Sequence, residues 1–232
     1  MRNNTLSDLR NTMTPEKRKN AKNDFFAFYV GRPLSYYLTV PAIWLKLSPT
    51  SVTVMSMVVL LASSVTFMIS DNKNIAILAW VLLFLWNLLD GVDGNIARLK
   101  KVSSPLGSVW DAMSGYASMF ATFFAFGVFT QNFTHNQGYL YVVLGALGGV
   151  AQIFPRLVAQ KARNTLEENV EVMDKANFSF SKIVALNLTS VTGFPQPLML
   201  ISIIVGVPQL FIIFYFVINS AVMVVSLKSV LR

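Results

Sequence analysis

Long apolar segments, each about as long as a bilayer is thick, occupy most of this sequence. Six are expected, at about residues 47–70, 75–98, 107–130, 139–159, 183–205 and 207–230. A hydrocarbon core of about 30 Å is crossed by about 20 helical residues. Because lipid cannot satisfy backbone hydrogen bonds, such segments fold as helices that satisfy their own. The sequence therefore predicts an all-α, polytopic membrane protein with six transmembrane helices.

The composition supports this class and excludes others. Hydrophobic residues make up 54% of the chain, charged residues only 13%, and the mean hydropathy is +0.54. The net charge of +8 would also suit nucleic acid, but its distribution favours membrane orientation and contact with anionic lipids instead. The absence of cysteine excludes disulfides and cysteine-ligated zinc or iron–sulfur sites.

The basic residues lie almost entirely on one side of the expected membrane. Of 19 lysines and arginines, only Lys73 falls in an outer loop, which leaves 18 on the opposite side. The positive-inside rule makes that side cytoplasmic. We therefore expect both termini to be cytoplasmic.

The first 47 residues differ from the rest. Residues 1–24 are polar and basic, without the apolar core of a signal peptide, and from Phe25 to Leu47 many aromatic residues are mixed with Arg32 and Lys46. Such a mixture suits an amphipathic helix lying on the membrane surface, which Pro33 and Pro41 are expected to break into pieces. The predicted organisation is a cytosolic basic tail with an interfacial segment (1–47), followed by a membrane domain (48–232).

Three carboxylates fall inside otherwise apolar segments: Asp90, Asp93 and Asp111. An ionised side chain at membrane depth is costly and indicates function. The apolar run from Ile75 to Leu89 is only 15 residues long, so its helix should continue to Arg98 and hold Asp90 and Asp93 just inside one membrane face. The positive-inside rule again makes this face the cytoplasmic one.

A second helix is expected to begin near Gly107, after a break at residues 103–105. Gly107, Asp111 and Gly115 are spaced four apart, so they lie on one stripe of that helix. The glycines would let this stripe approach a neighbouring backbone closely. The three aspartates are therefore expected to form one site.

Converging carboxylates beside glycines suit a hard divalent cation that also binds a phosphate. Mg²⁺ is commonly held by one or two carboxylates together with substrate phosphates. Gly94 and its neighbours leave room for a bulky phosphate ester, and Arg98 offers a planar cation to it. The residues alone thus predict a phosphoryl-transfer or phosphate-binding site.

The spacing resembles the signature of the CDP-alcohol phosphotransferase family, Asp-x2-Asp-Gly-x2-Ala-Arg-x8-Gly-x3-Asp-x3-Asp. Seven of its eight positions are present: Asp90, Asp93, Gly94, Ala97, Arg98, Gly107 and Asp111. The resemblance implies a six-helix enzyme that moves a substituted phosphate from a CDP-linked donor to an alcohol and releases CMP. It implies that Asp90, Asp93 and Asp111 bind Mg²⁺ or Mn²⁺, and that Asp93 and Asp111 take part in catalysis.

The eighth position departs from the family pattern, because Gly115 stands where the family has an aspartate that binds metal and serves as the presumed base. A replacement base could come from the substrate or from Glu167 or Glu168. His135 is a poor candidate, because it is expected at the opposite membrane face. A non-catalytic relative that still binds metal and nucleotide is the alternative.

The resemblance also indicates substrate contacts. It implies that Gly94, Ala97, Arg98 and Gly107 bind the donor, and that Pro49, Val52 and Thr53 line the nucleotide pocket at a helix start. Arg156, with Lys161 and Lys182, would bind the phosphate of a phosphorylated acceptor. The alternative is that these basic residues only fix the orientation of the chain in the membrane.

The motif does not determine which donor and which acceptor the protein uses. The most common family reaction takes phosphatidyl from CDP-diacylglycerol to a small alcohol, and another places a small CDP-linked head group on a lipid or a lipid-linked glycan. A transporter also places carboxylates within the membrane. It would require neither the motif nor the charge asymmetry, so these two features favour the transferase. Gly145, Gly148 and Gly149 on the fourth span suit either a tight bundle or a homodimer.

Overall fold

The computed structural model describes residues 6–102, 104–166 and 180–230, and every regular element in them is a helix. The N-terminal part contains α1 (Leu6–Asn11), α2 (Pro15–Ala21), a π-helical turn (Ala27–Gly31) and α3 (Arg32–Trp44). The long helices are α4 (Pro49–Ile69), α5 (Lys73–Lys100), α6 (Pro105–Phe133), α7 (Leu140–Leu166) and α10 (Pro208–Val230). Two shorter helices precede the last one, α8 (Phe180–Thr189) and α9 (Pro195–Val205).

The prediction of an all-α, polytopic membrane protein is confirmed. Within the described residues, five helices are long and apolar enough to cross a membrane, namely α4, α5, α6, α7 and α10. The chain is therefore an integral membrane protein.

The fifth span, expected as one helix at residues 183–205, consists of two helices, α8 and α9. Pro195 lacks an N–H and begins α9, and the turn before it is closed by a hydrogen bond from the Gly193 N–H to the Ser190 carbonyl at 2.7 Å. Together the 10 residues of α8 and the 11 of α9 extend about 30 Å at 1.5 Å per residue, which is the thickness of a hydrocarbon core. The pair thus has the length of the single span that the sequence predicts.

The prediction that prolines break the interfacial segment is wrong. Helix α3 continues through Pro41, and Pro33 lies in its first turn. A π-helical turn directly precedes α3 and shifts the hydrogen-bond register at the point where Pro33 has no N–H to donate. Residues 25–44 therefore form one continuous helical segment.

The long helices form a bundle in which some helices pack on a sequence neighbour and others on a helix further along the chain. Helix α4 packs on α5 and α6, α7 packs on α6 and α10, and α3 lies against α5. The core is rich in aromatic side chains, including Trp86, Phe123, Phe126 and Tyr215, all at most 2% exposed. This packing fixes the ends of α4, α5 and α6 relative to one another.

Helices α6 and α7 approach each other at a pair of glycines. A Cβ added to Gly145 would lie 3.1 Å from the Cα of Gly127 and would also meet the Phe123 carbonyl oxygen. A Cβ on Gly149 would lie 3.1 Å from Phe120, whereas one on Gly148 would make only an ordinary 3.6 Å contact with Phe216 of α10. The predicted close packing is therefore present at Gly145 and Gly149.

Gly145→Ala should destabilise the bundle because its methyl group overlaps the α6 backbone. We expect a loss of about 1–3 kcal/mol, typical of overpacking, measured as a lower thermal unfolding temperature in detergent. The matched control is Gly148→Ala, three residues away on the same helix, which should unfold at or above the wild-type temperature. Equal behaviour of the two variants would contradict the close approach.

Candidate metal and substrate site

Two of the three aspartates lie on the last turns of α5. The helix continues past its apolar run, as predicted, and ends at Lys100, two residues beyond the expected Arg98. It holds Asp90 and Asp93 one turn apart. It ends where Lys101 adopts a left-handed conformation (φ 53°). Asp93 is only 6% exposed, whereas Asp90 is half-buried.

The third aspartate is placed by the start of α6. The helix begins at Pro105, two residues before the predicted start at Gly107, and is capped by Ser104, whose hydroxyl accepts a hydrogen bond from the Gly107 N–H at 2.9 Å. A Cβ on Gly107 would lie 2.9 Å from that same hydroxyl oxygen, so glycine suits this cap. Asp111 follows one turn later and is exposed.

The three carboxylates converge. Asp90, Asp93 and Asp111 each offer an oxygen, and these oxygens all lie within 4.8 Å of one another. Three negative charges this close repel one another unless a cation lies between them. The sequence prediction that they form one cluster is confirmed in its geometry.

Hydroxyl groups orient two of the carboxylates. The Thr53 hydroxyl, on α4, donates to Oδ2 of Asp93 at 2.5 Å, and the Ser114 hydroxyl donates to Oδ1 of Asp90 at 3.4 Å. Ser114 in turn accepts a hydrogen bond from Nε1 of Trp86 at 3.1 Å. Such outer partners hold ligand oxygens in position for a metal ion.

The aspartates lie in a cleft of about 650 Å³. Nine of the residues selected from the sequence line it: Pro49, Thr53, Asp90, Asp93, Gly94, Ala97, Arg98, Gly107 and Asp111. The N-terminal segment adds a wall that includes Asp24, Arg32 and Ser35, and Thr192 adds the turn between α8 and α9. The cleft is therefore built from more of the chain than the motif alone.

A polar ladder from α3 positions Arg98. Nη2 of Arg98 donates to Oδ1 of Asn95 at 2.6 Å, and Nδ2 of Asn95 donates to the hydroxyls of Thr39 at 2.9 Å and Ser35 at 3.2 Å. Asn95, Thr39 and Ser35 are all at most 3% exposed. A buried, fully bonded ladder restricts the guanidinium to one side of the cleft.

Gly94 provides the space that this guanidinium uses. A Cβ there would lie 3.2 Å from Nη1 of Arg98. The room beside Gly94 is thus partly taken by Arg98 itself, and what remains is open to a ligand in the cleft.

Two residues selected from the sequence lie elsewhere. Val52 is 1% exposed and packs with Ala42, Val92 and Ile96, so it does not face the cleft. Arg156 lines a separate cavity of about 190 Å³ between α7, α8 and α10.

The remaining candidates contribute little to this cleft. Gly115 does not line it, and a Cβ built on Gly115 meets no atom within 4 Å, so a side chain would fit there. Glu167 and Glu168, the alternative bases, lie outside the described residues, as does the side chain of Lys182, while Lys161 is exposed on α7. His135 lies in the turn after α6, at the far end of that helix from Asp111.

Several residues of the site were missed from the sequence. Asn95 occupies a position that the motif leaves unspecified, so the motif does not point to it. It precedes Arg98 by three residues, however, and so shares a helix face with it. Ser35 and Thr39, four apart on α3, gave a weak signal as small polar residues among aromatics. Nothing in the local sequence shows that they reach α5.

The donor set fits a hard divalent cation. It consists of carboxylate oxygens, the ligand type that Mg²⁺ and Mn²⁺ prefer. Mg²⁺ prefers octahedral coordination, and three aspartates that each supply one oxygen would not fill it. The remaining positions are left for water or phosphate oxygens.

The comparison with protein families agrees with this geometry. The family model described as CDP-alcohol phosphatidyltransferase matches residues 46–227. The chain therefore belongs to this family, whose members are divalent-metal-dependent enzymes that transfer a phosphate-linked group from a CDP-alcohol. A search of curated proteins found no match.

Thr53→Val should weaken metal binding because it removes the hydroxyl that holds Asp93 while keeping the shape of the side chain. We expect the Mn²⁺ dissociation constant, measured by titration calorimetry, to rise about 10-fold or more. Thr50→Val is the matched control, since Thr50 lines the same cleft on the same helix and is exposed. Unchanged Mn²⁺ affinity in Thr53→Val would remove this hydroxyl from the site.

Proposed function

We propose that this protein transfers the phosphatidyl group of CDP-diacylglycerol to a small alcohol and releases CMP. The observation that carries the proposal is the convergence of Asp90, Asp93 and Asp111 within 4.8 Å, in a cleft that Arg98 also lines. Family membership supplies the reaction class.

A lipid donor suits the position of the cleft. The carboxylates lie at the ends of two helices that are apolar enough to span a membrane. Val102, an apolar residue that follows α5 and lines the cleft, is 49% exposed. It offers an acyl chain an apolar contact at the edge of the polar cleft.

In this proposal the acidic, basic and small residues of the cleft have different roles. A bound Mg²⁺ or Mn²⁺, held by Asp90, Asp93 and Asp111, would neutralise the donor diphosphate and the charge that develops on it. Thr53 keeps Asp93 oriented, and Arg98, held by Asn95, binds a phosphate oxygen on the other side. Gly94, Ala97, Gly107 and Pro49 shape the space for the nucleotide and its phosphates.

The chemical step forms a phosphoester bond to the acceptor and breaks the phosphoanhydride bond of the donor diphosphate. The acceptor oxygen bonds to the phosphorus that carries the diacylglycerol, the bond from this phosphorus to the CMP oxygen breaks, and the hydroxyl proton passes to a carboxylate of the cleft. Asp111 is the most exposed of the three carboxylates and the one that an acceptor from solution meets first. We assign catalytic roles to Asp93 and Asp111.

The orientation follows from charge. With 18 of 19 basic residues on the side of the aspartates, we propose that the cleft faces the cytoplasm, where a CDP-linked donor presents its nucleotide. Residues 48–232 form the catalytic membrane domain in this proposal, and Asp24, Arg32 and Ser35 of the N-terminal segment line one wall of the cleft.

CMP release by the purified protein tests this function. With CDP-diacylglycerol, Mg²⁺ or Mn²⁺ and a pool of small alcohols, we expect metal-dependent CMP, and Asp93→Asn should reduce the rate about 10²- to 10³-fold, because several kcal/mol of charge stabilisation is lost. Asp71→Asn, an exposed carboxylate outside the cleft, is the control. No CMP from this donor, with CMP from a small CDP-linked head group and a lipid acceptor, would contradict the phosphatidyl assignment.

The missing carboxylate at Gly115 supports a second candidate, a protein that binds metal and nucleotide without turnover. Gly115→Asp separates the two, since the built Cβ meets no atom within 4 Å and the new carboxylate is one turn beyond Asp111. We expect Mn²⁺ affinity to rise about tenfold, the effect of about 1.4 kcal/mol of added attraction. CMP release that appears only in the variant would identify the natural protein as non-catalytic.

A further inference from the structure

A second basic cavity lies beside the cleft, between the N-terminal helices and α3. It has a volume of about 210 Å³ and is lined by three arginines, Arg10, Arg18 and Arg32, each from a different helix. Aromatic side chains, among them Phe28 and Tyr36, form much of the remaining wall. The motif and the proposed reaction use neither Arg10 nor Arg18.

The fold holds these arginines together. Leu9 of α1 is fully buried, and α1 packs against α3 and α5, which brings Arg10 over the start of α3. Nη1 of Arg32 lies 3.4 Å from the Met13 sulfur, and its guanidinium carbon is 6.0 Å from the centre of the Phe28 ring. Arg32 is therefore fixed from two sides, with Arg10 and Arg18 reaching the same space.

The charges in this cavity are unbalanced. Among the described residues that line it there are three guanidinium groups and no carboxylate. Like charges brought together repel, and Nε of Arg32 is buried without a hydrogen-bond acceptor in the described part of the chain. Leaving a charged donor unsatisfied costs free energy that an anion would recover.

From these observations we propose that the Arg10–Arg18–Arg32 cavity binds a phosphate group. A tetrahedral phosphate offers acceptors to several guanidinium groups at once, which is the recognition that arginine forks favour. Arg10 and Arg18 are exposed, so the group can come from a lipid headgroup or from free phosphate in solution. Arg32 also lines the catalytic cleft, so an anion bound here would share a wall with the site of transfer.

The test uses the full chain purified in neutral detergent and removes the two arginines that lie outside the cleft. Arg10→Gln/Arg18→Gln is compared with Lys19→Gln/Lys22→Gln, which removes the same charge from the same segment at residues that do not line the cavity. Binding of short-chain phosphatidylglycerol is measured by native mass spectrometry, and binding of inorganic phosphate by calorimetry. Because no donor nucleotide is present, the outcome does not depend on the proposed transferase activity.

We expect the wild type and Lys19→Gln/Lys22→Gln to bind each probe equally well. Arg10→Gln/Arg18→Gln should bind at least tenfold more weakly, because it loses one charge-assisted hydrogen bond or more. Binding of phosphatidylglycerol alone would identify a lipid headgroup as the source, and binding of both probes would show that phosphate alone suffices. Equal weakening in both double variants, or no binding of either probe, would overturn the proposal.

A conservative variant guards against loss of folding. Arg18→Lys keeps the charge and removes the fork, and it should weaken binding several-fold while leaving the thermal unfolding temperature unchanged. Wild-type binding in Arg18→Lys, together with wild-type binding in the arginine double variant, would exclude the cavity.

Discussion

Mutual repulsion among three carboxylates is the constraint on which the site depends. Asp90, Asp93 and Asp111 lie within 4.8 Å of one another at the ends of apolar helices. Such an arrangement is stable when a cation balances it. The hydroxyl of Thr53 orients Asp93, and the Ser104-capped start of α6 places Asp111 beside it.

The N-terminal segment belongs to this site as much as the membrane helices do. Ser35 and Thr39 of α3 reach Asn95 and through it Arg98. Gly91 permits this contact, because a Cβ there would lie 2.9 Å from the Cβ of Ser35. A division of the chain at residue 47 therefore separates parts that share one cleft.

The sequence was sufficient for the class, the motif and most of the cleft. The continuation of α5 beyond its apolar run followed from the length that a bilayer requires. Ser48 caps α4 by accepting a hydrogen bond from the Ser51 N–H, a role that serine commonly has before a proline that starts a helix. These features are local or depend on simple periodicity.

What the sequence did not reveal depends on contacts between distant segments. Val52 faces Val92 and Ile96 rather than the cleft because α3 and α5 complete an apolar cluster around it. The ladder at Asn95 and the turn between α8 and α9 likewise involve partners that are remote in sequence. The π-helical turn that lets α3 pass Pro33 has no local signature of its own.

If the three aspartates hold a cation against the donor phosphates, a bound metal ion lies next to phosphorus. Electron–nuclear double resonance on protein-bound Mn²⁺ with CDP-diacylglycerol detects this neighbour. A phosphorus-31 hyperfine coupling that disappears in Asp93→Asn is the predicted result. Mn²⁺ bound with no phosphorus coupling, or with the same coupling in Asp93→Asn, would contradict it.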